Sequence, residues 1–253
     1  MGTFAIRVTG ATRQYVRDGK PFRAIQDVSL EVGEREVVAL LGPSGCGKST
    51  LLRAIAGLEA LDGGSIEHGR KADGRPPAGI VFQEPLLLPW LTIRENVALG
   101  LRYKANRRHG NVRDVESALR DFGIAAIADS YPNEVSGGQA QRASLARTIV
   151  TRPSVLLLDE PFSALDPAMR GVMQQWLRDI IRREQLAAIL VTHDVDEALA
   201  VSDRVLLMAK GPGHIVGTWA GSDAPEERAE ARDAILGRYA TDVEFAASGF
   251  YVI

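Results

Sequence analysis

The chain has 253 residues, 45% of them hydrophobic, and a formal net charge of −2. That is enough for one large α/β domain with a sizeable core, and such a balance advertises neither nucleic acid nor a membrane surface. The single cysteine, Cys46, excludes an internal disulfide and agrees with a reducing compartment. Met1 to Gly10 lacks the basic start and long apolar run of a secretory leader. The longest apolar stretches, such as Val155 to Leu158 and Ala187 to Val191, fall far short of the ~20 residues of a spanning helix.

In chain order, Phe4 to Thr9 and Val28 to Val32 alternate as half-buried strands do, with Gln14 to Pro21 as a turn-rich connection. Gly33-Glu34 marks a turn before the apolar strand Val37 to Leu41, and Leu51 to Ala56 reads as a helix stopped by Gly57. Ser65 to His68 and Gly79 to Phe82 read as short strands. From Gln83 to about Ser136 the pattern turns helical, over Thr92 to Leu101, Val112 to Phe122 and Ile124 to Ser130. The basic run Arg102 to Gly110 reads as a solvated loop.

Gln139 to Val150 is helical, and Val155 to Leu158 suits a strand buried on both faces. Pro167 to Gln185 is amphipathic, with Val172, Met173, Trp176, Leu177, Ile180 and Ile181 on one stripe. Ala188 to Val191 is a strand, Val195 to Ala200 a helix and Val205 to Met208 a strand. Ile215 to Trp219 reads as an edge strand, and Glu226 to Leu236 as a surface helix. The expectation is an α/β fold in one domain over residues 1–253, with 84–140 as an inserted helical lobe.

Three stretches carry chemistry. Gly42-Pro43-Ser44-Gly45-Cys46-Gly47-Lys48-Ser49-Thr50 fits the phosphate-loop pattern G-x-x-x-x-G-K-[ST], between a strand and a helix start. Its glycines let several N–H groups face one anion at the positive end of the helix. Lys48 can reach the β- and γ-phosphates of a nucleotide, and the Ser49 hydroxyl can ligate Mg²⁺. Val155 to Leu158 then ends in Asp159-Glu160, a metal-holding carboxylate followed by a candidate general base. Ser136-Gly137-Gly138-Gln139 makes a second anion-seeking helix start, and its separation from the first suggests a site shared between two chains.

With these residues in that order, nearly the whole chain resembles the nucleotide-binding subunit of an ATP-binding cassette (ABC) transporter. The implied fold is a P-loop NTPase core with an N-terminal antiparallel β-subdomain and an inserted α-helical subdomain. Val135 to Gln139 resembles the family signature, with Val135 where leucine is usual. The resemblance makes Gln83 the glutamine that senses Mg²⁺ and water, and Ser163-Ala164-Leu165-Asp166 the loop that crosses between subunits. It makes His193 the switch histidine at the γ-phosphate and Tyr15 the aromatic that stacks on adenine, with Phe22 as a neighbouring competitor. His68, His109 and His214 have no such context and read as structural.

The resemblance further implies ATP and Mg²⁺ as cofactors and a head-to-tail homodimer. It also implies permease subunits, a solute-binding protein and a peripheral place on the cytoplasmic face of the cell membrane. Leu88-Pro89-Trp90 and Val191 to Ala198 are similar to importers of the nitrate, sulfonate and taurine group, although Ser163 replaces the glycine expected there. The competing readings are a soluble cassette ATPase of DNA or ribosomes, an importer of an unrelated solute, and a non-hydrolysing nucleotide binder. Cys46 either fills a small apolar space or offers a thiol to alkylating reagents.

Overall fold

A computed structural model of the chain describes residues 4–17, 19–69, 78–102, 112–163 and 165–248. His109, Ala164 and most of the basic run 102–110 lie outside the described residues. In chain order the elements are β1 (Phe4–Arg17), β2 (Lys20–Gly33), β3 (Val37–Leu41), α1 (Lys48–Ile55), β4 (Gly63–His68), β5 (Ala78–Val81) and α2 (Ile93–Ala98). There follow α3 (Val112–Asp121), α4 (Gly137–Ile149), β6 (Val155–Asp159), α5 (Pro167–Arg183), β7 (Ala187–Thr192), α6 (Val195–Val201), β8 (Arg204–Ala209), β9 (His214–Ala220) and α7 (Pro225–Ser248). They divide into two compact units, Met1–Gly69 with Gln174–Ile253, and Arg70–Met173.

In the first unit β1 lies between β2 and β4 in an antiparallel sheet. Residues 14–21 are not the loose connection expected from their polarity, because β1 runs to Arg17 and β2 starts at Lys20. Cross-strand pairing explains the extension: Tyr15 faces Phe22, an aromatic pair that stabilises a ladder, and Gly19 turns at φ 73°. The unit's second sheet has β3 in parallel register with both β7 and β8, and β9 closing antiparallel on β8. β3 and β7 are buried along their whole lengths, which is why they read as unbroken apolar runs.

Ala39, Leu41, Val195, Ala198, Leu199, Val205, Leu207 and Ile235 form a core cluster in this unit. Ile235 comes from α7, which therefore is not the purely superficial helix expected, and α7 also runs on to Ser248. Its first turns are charged, so one deeply buried isoleucine is a weak signal in the sequence.

In the second unit β5 pairs in parallel with β6, and α4 packs beside β5. Thr92 and Glu95 form a reciprocal capping box that starts α2. The helix expected over 124–130 is only a 3-10 turn at Ala125–Ile127. Gly123 at φ 63° ends the preceding helix, no side chain caps the new one, and Pro132 follows closely. On α5, Met173, Leu177, Ile180 and Ile181 are buried as expected, but Val172 is 58% exposed.

Candidate functional site

The candidate residues fall on both units. In the first, β3 pairs Leu41 with Thr192 of β7, so Gly42 and His193 leave the sheet side by side at its carboxyl edge. That edge is where open α/β sheets bind ligands. His193 is exposed, between β7 and α6, whose start is capped by Asp194 accepting from the Glu197 N–H at 3.0 Å.

The loop Gly42–Thr50 closes on itself. The Lys48 ammonium, 4% exposed, donates to the Gly42 carbonyl at 2.7 Å and the Pro43 carbonyl at 3.1 Å. Among the described residues no carboxylate is ion-paired with it. It also contacts the Cys46 sulfur at 4.0 Å, and a buried cation met only by neutral groups favours an incoming anion. Gly47, the N-cap of α1, offers no side chain to the first-turn N–H groups, and no acidic residue sits in that turn. The helix field therefore points at whatever occupies the loop.

Gly47 stands at φ 99°, and a Cβ there would overlap Ile25 and come within 2.7 Å of the Ala24 carbonyl of β2. The hairpin thus walls the loop. Tyr15 lies two residues beyond Arg13, the partner of Ile25. Its hydroxyl donates to Glu59 at 2.6 Å, and the Arg13 guanidinium covers one ring face at 4.8 Å. Cys46 is buried, and burial pushes its thiol pKa up, with the Lys48 charge opposing.

In the second unit Val81 pairs with Leu158, so Gln83 and the pair Asp159-Glu160 lie at the same end of the two strands. Glu160 stands at φ 45°, in the left-handed region that costs a non-glycine residue about 1–2 kcal/mol. Ser163 stabilises that turn by donating to the Glu160 carbonyl from its N–H at 3.2 Å and its hydroxyl at 3.0 Å. The serine that stood out in the sequence therefore has a local task.

Ser136 caps α4 as anticipated: its hydroxyl accepts from the Gln139 N–H at 3.3 Å, and the Gln139 side-chain amide oxygen accepts from the Ser136 N–H at 2.9 Å. Gly137 and the side-chain face of Ser136 are exposed. A Cβ on Gly138 would lie 3.7 Å from Leu165, so this helix start adjoins the Asp166 turn. Asp166 itself caps α5, accepting from the Ala168 and Met169 N–H groups at 3.1 and 3.0 Å.

Ser49, Gln83 and Asp159 supply hard oxygen donors, the chemistry Mg²⁺ takes. Among the described residues no cluster of three or more His, Cys, Asp or Glu is gathered for a metal ion.

Sequence reasoning missed three residues that hold this machinery. Arg147 of α4 donates to the Leu86 carbonyl at 2.7 Å and the Pro85 carbonyl at 2.8 Å, and its burial lowers the guanidinium pKa. Fully buried Asn96 of α2 accepts from the Leu88 N–H and donates to the carbonyls of Leu88, Leu91 and Thr92. Glu59 anchors Tyr15. The available signal was a long cation inside an otherwise apolar helix turn, Leu145-Ala146-Arg147.

Comparison with known proteins agrees with this geometry. The family model described as ABC transporter matches residues 25–163. The chain is 49% identical over 193 residues to an aliphatic sulfonates import ATP-binding protein of Burkholderia lata, covering 76% of this chain and 69% of that one. It is 44% identical over 214 residues to a nitrate import ATP-binding protein of Synechococcus elongatus, covering 83% of this chain and 32% of the relative. A solved dimeric ATP-binding cassette in a post-hydrolysis state, bound to ADP and phosphate, superposes with a TM-score of 0.72 at 27% identity, covering 87% of this chain and 100% of that one. Phosphate loop, strand-end carboxylates, capped Ser-Gly-Gly helix start and these likenesses agree: the chain belongs to the ABC transporter family.

Proposed function

We propose that this chain is the ATP-binding and ATP-hydrolysing subunit of an importer, energising uptake of a small anion such as nitrate, sulfonate or taurine through a separate permease. The observation that carries the reading is Lys48: a buried ammonium, bonded to neutral carbonyls and a thiol of its own loop, at an uncapped helix start. The substrate class rests on likeness to the sulfonate and nitrate import proteins. Residues 84–140 are the helical lobe that meets the permease, and an extracytoplasmic solute-binding protein delivers the anion. The chain itself sits on the cytoplasmic face of the membrane through that permease.

Two copies face each other head to tail, with ATP between Gly42–Thr50 of one and Ser136-Gly137-Gly138-Gln139 of the other. A two-fold dimer uses both surfaces twice. Tyr15 stacks on the adenine, and Asp166 belongs to the loop that crosses to the partner. Ser49, Asp159 and Gln83 would hold Mg²⁺ with the phosphates, and the bound ion would supply neutralisation of charge on the transferring phosphoryl group. Glu160 takes the proton of the attacking water as its oxygen bonds the γ-phosphorus. The bond to the β–γ bridging oxygen breaks, and ADP leaves with the electron pair. His193 orients the water and Lys48 holds the phosphoryl oxygens.

Glu160→Gln keeps the shape and removes the base. We expect turnover to fall roughly 10²–10⁴-fold while ATP still binds and drives dimerisation, read by steady-state hydrolysis and analytical ultracentrifugation with and without ATP. Wild-type turnover in this variant would remove Glu160 from the role.

A further inference from the structure

We infer that Arg147 is a positioning residue for Gln83: it clamps the chain just past that glutamine and makes α4 the common support of Gln83 and the Ser136 helix start. The inference rests on the functional reading above, and all of its geometry lies within the second unit.

Gln83 follows β5 and is exposed, so its own side chain does not fix its place. The backbone on both sides of it is fixed by adjacent residues of α4. On the near side, the Thr148 hydroxyl lies 3.4 Å from the Ile80 carbonyl, and a Cβ on Gly79 would come within 2.6 Å of the Thr148 methyl. On the far side, the Arg147 fork donates to two successive carbonyls, Pro85 and Leu86, and reaches the buried Ser144 hydroxyl at 3.3 Å.

Those two carbonyls need a fixed partner. Leu86 stands at φ 46°, a conformation a leucine avoids, and its side chain is 52% exposed, so packing does not hold it there. Beyond it, Asn96 fastens the Leu88 and Leu91 backbone, leaving Trp90 69% exposed. Without Arg147 the turn at 85–86 has no such bonds and Gln83 gains freedom. Lysine cannot replace the fork, since one ammonium on a flexible stem does not reproduce two parallel N–H bonds.

The same helix begins at Ser136, so whatever tilts α4 moves its Ser136 start and the Gln83 anchor together. The phosphate loop is held separately, by Lys48 and β2. Loss of Arg147 therefore acts on turnover rather than on nucleotide affinity.

The test compares full-chain wild type with Arg147→Lys in two measurements. For Arg147→Lys we expect kcat for ATP to fall about tenfold or more, with KM for ATP changed by less than about twofold. Amide hydrogen exchange should quicken in 84–91 while the interior of α4 keeps its protection. Wild-type kcat in a variant with loosened 84–91 overturns the role in turnover, and unchanged exchange in 84–91 overturns the clamp. Loosening of all of α4 in step overturns it too, as that is loss of packing. If wild type itself does not hydrolyse ATP, the functional reading fails, and the exchange measurement still decides whether Arg147 positions the segment.

Discussion

Lys48 and Cys46 share one small space, and the sequence alone could not rank what each does there. The motif places Lys48 correctly on loop and helix because its spacing is dictated by a phosphate-sized turn. It says nothing of Cys46, whose position in the pattern is free. The structure buries that thiol beneath Gly42, where a Cβ would come within 2.9 Å of the sulfur. Burial raises its pKa and the Lys48 charge opposes without overcoming it, so the reactive thiolate is scarce at neutral pH. N-ethylmaleimide should therefore label the folded chain slowly and the denatured chain fast, as read by intact mass over time. Equal rates would mean the loop opens readily. Arg147 and Asn96 were illegible for a related reason: each works on backbone atoms, which no residue pattern names.

At the scale of elements, legibility followed burial. Strands β3, β6, β7 and β8, covered on both sides, stand out as apolar runs, and their ends locate Gly42, Asp159 and His193. The outer hairpin did not, because Gln14 to Pro21 is polar and its strand form depends on a partner across the ladder. The neighbouring strand β4 carries a titration consequence. His68 is half-buried, its Nδ1 has no hydrogen-bond partner among the described residues, and burial lowers its pKa against a smaller opposing effect of the Ile55 backbone. The unfolded chain takes up this proton near the ordinary value of 6.5, the folded chain only at lower pH. Stability contributed by neutral His68 is thus complete above 6.5 and declines as pH falls from there toward the folded pKa. Urea midpoints taken at about pH 7.5 and about pH 5.5 should fall farther for wild type than for His68→Gln. An equal fall in both would assign the acid sensitivity elsewhere.

For the whole molecule, the question is how a chain of this kind meets a membrane. No helix among the described residues is long and apolar enough to cross one. The longest, α7, opens on Glu226-Glu227 and carries arginines throughout its first turns. On the function proposed above, attachment comes through a permease, and the second unit carries exposed apolar side chains at Leu86, Trp90 and Tyr131. Isolated leucines on a surface need no explanation, but a tryptophan on a backbone braced by Asn96 is costly to leave in water. A chain bound through a permease should leave washed membranes at alkaline pH, since such treatment breaks protein contacts and spares spanning helices. It should also remain with the permease in mild detergent, where mass spectrometry of the tagged complex identifies the partner. Trp90→Asp should release it under the same mild conditions while ATP binding by the freed chain persists, because Lys48 and its loop belong to the other unit. Retention of Trp90→Asp at wild-type levels would place the contact on another surface. Failure to recover any membrane protein would favour a cassette ATPase working away from transport, the reading the phosphate loop alone could never exclude.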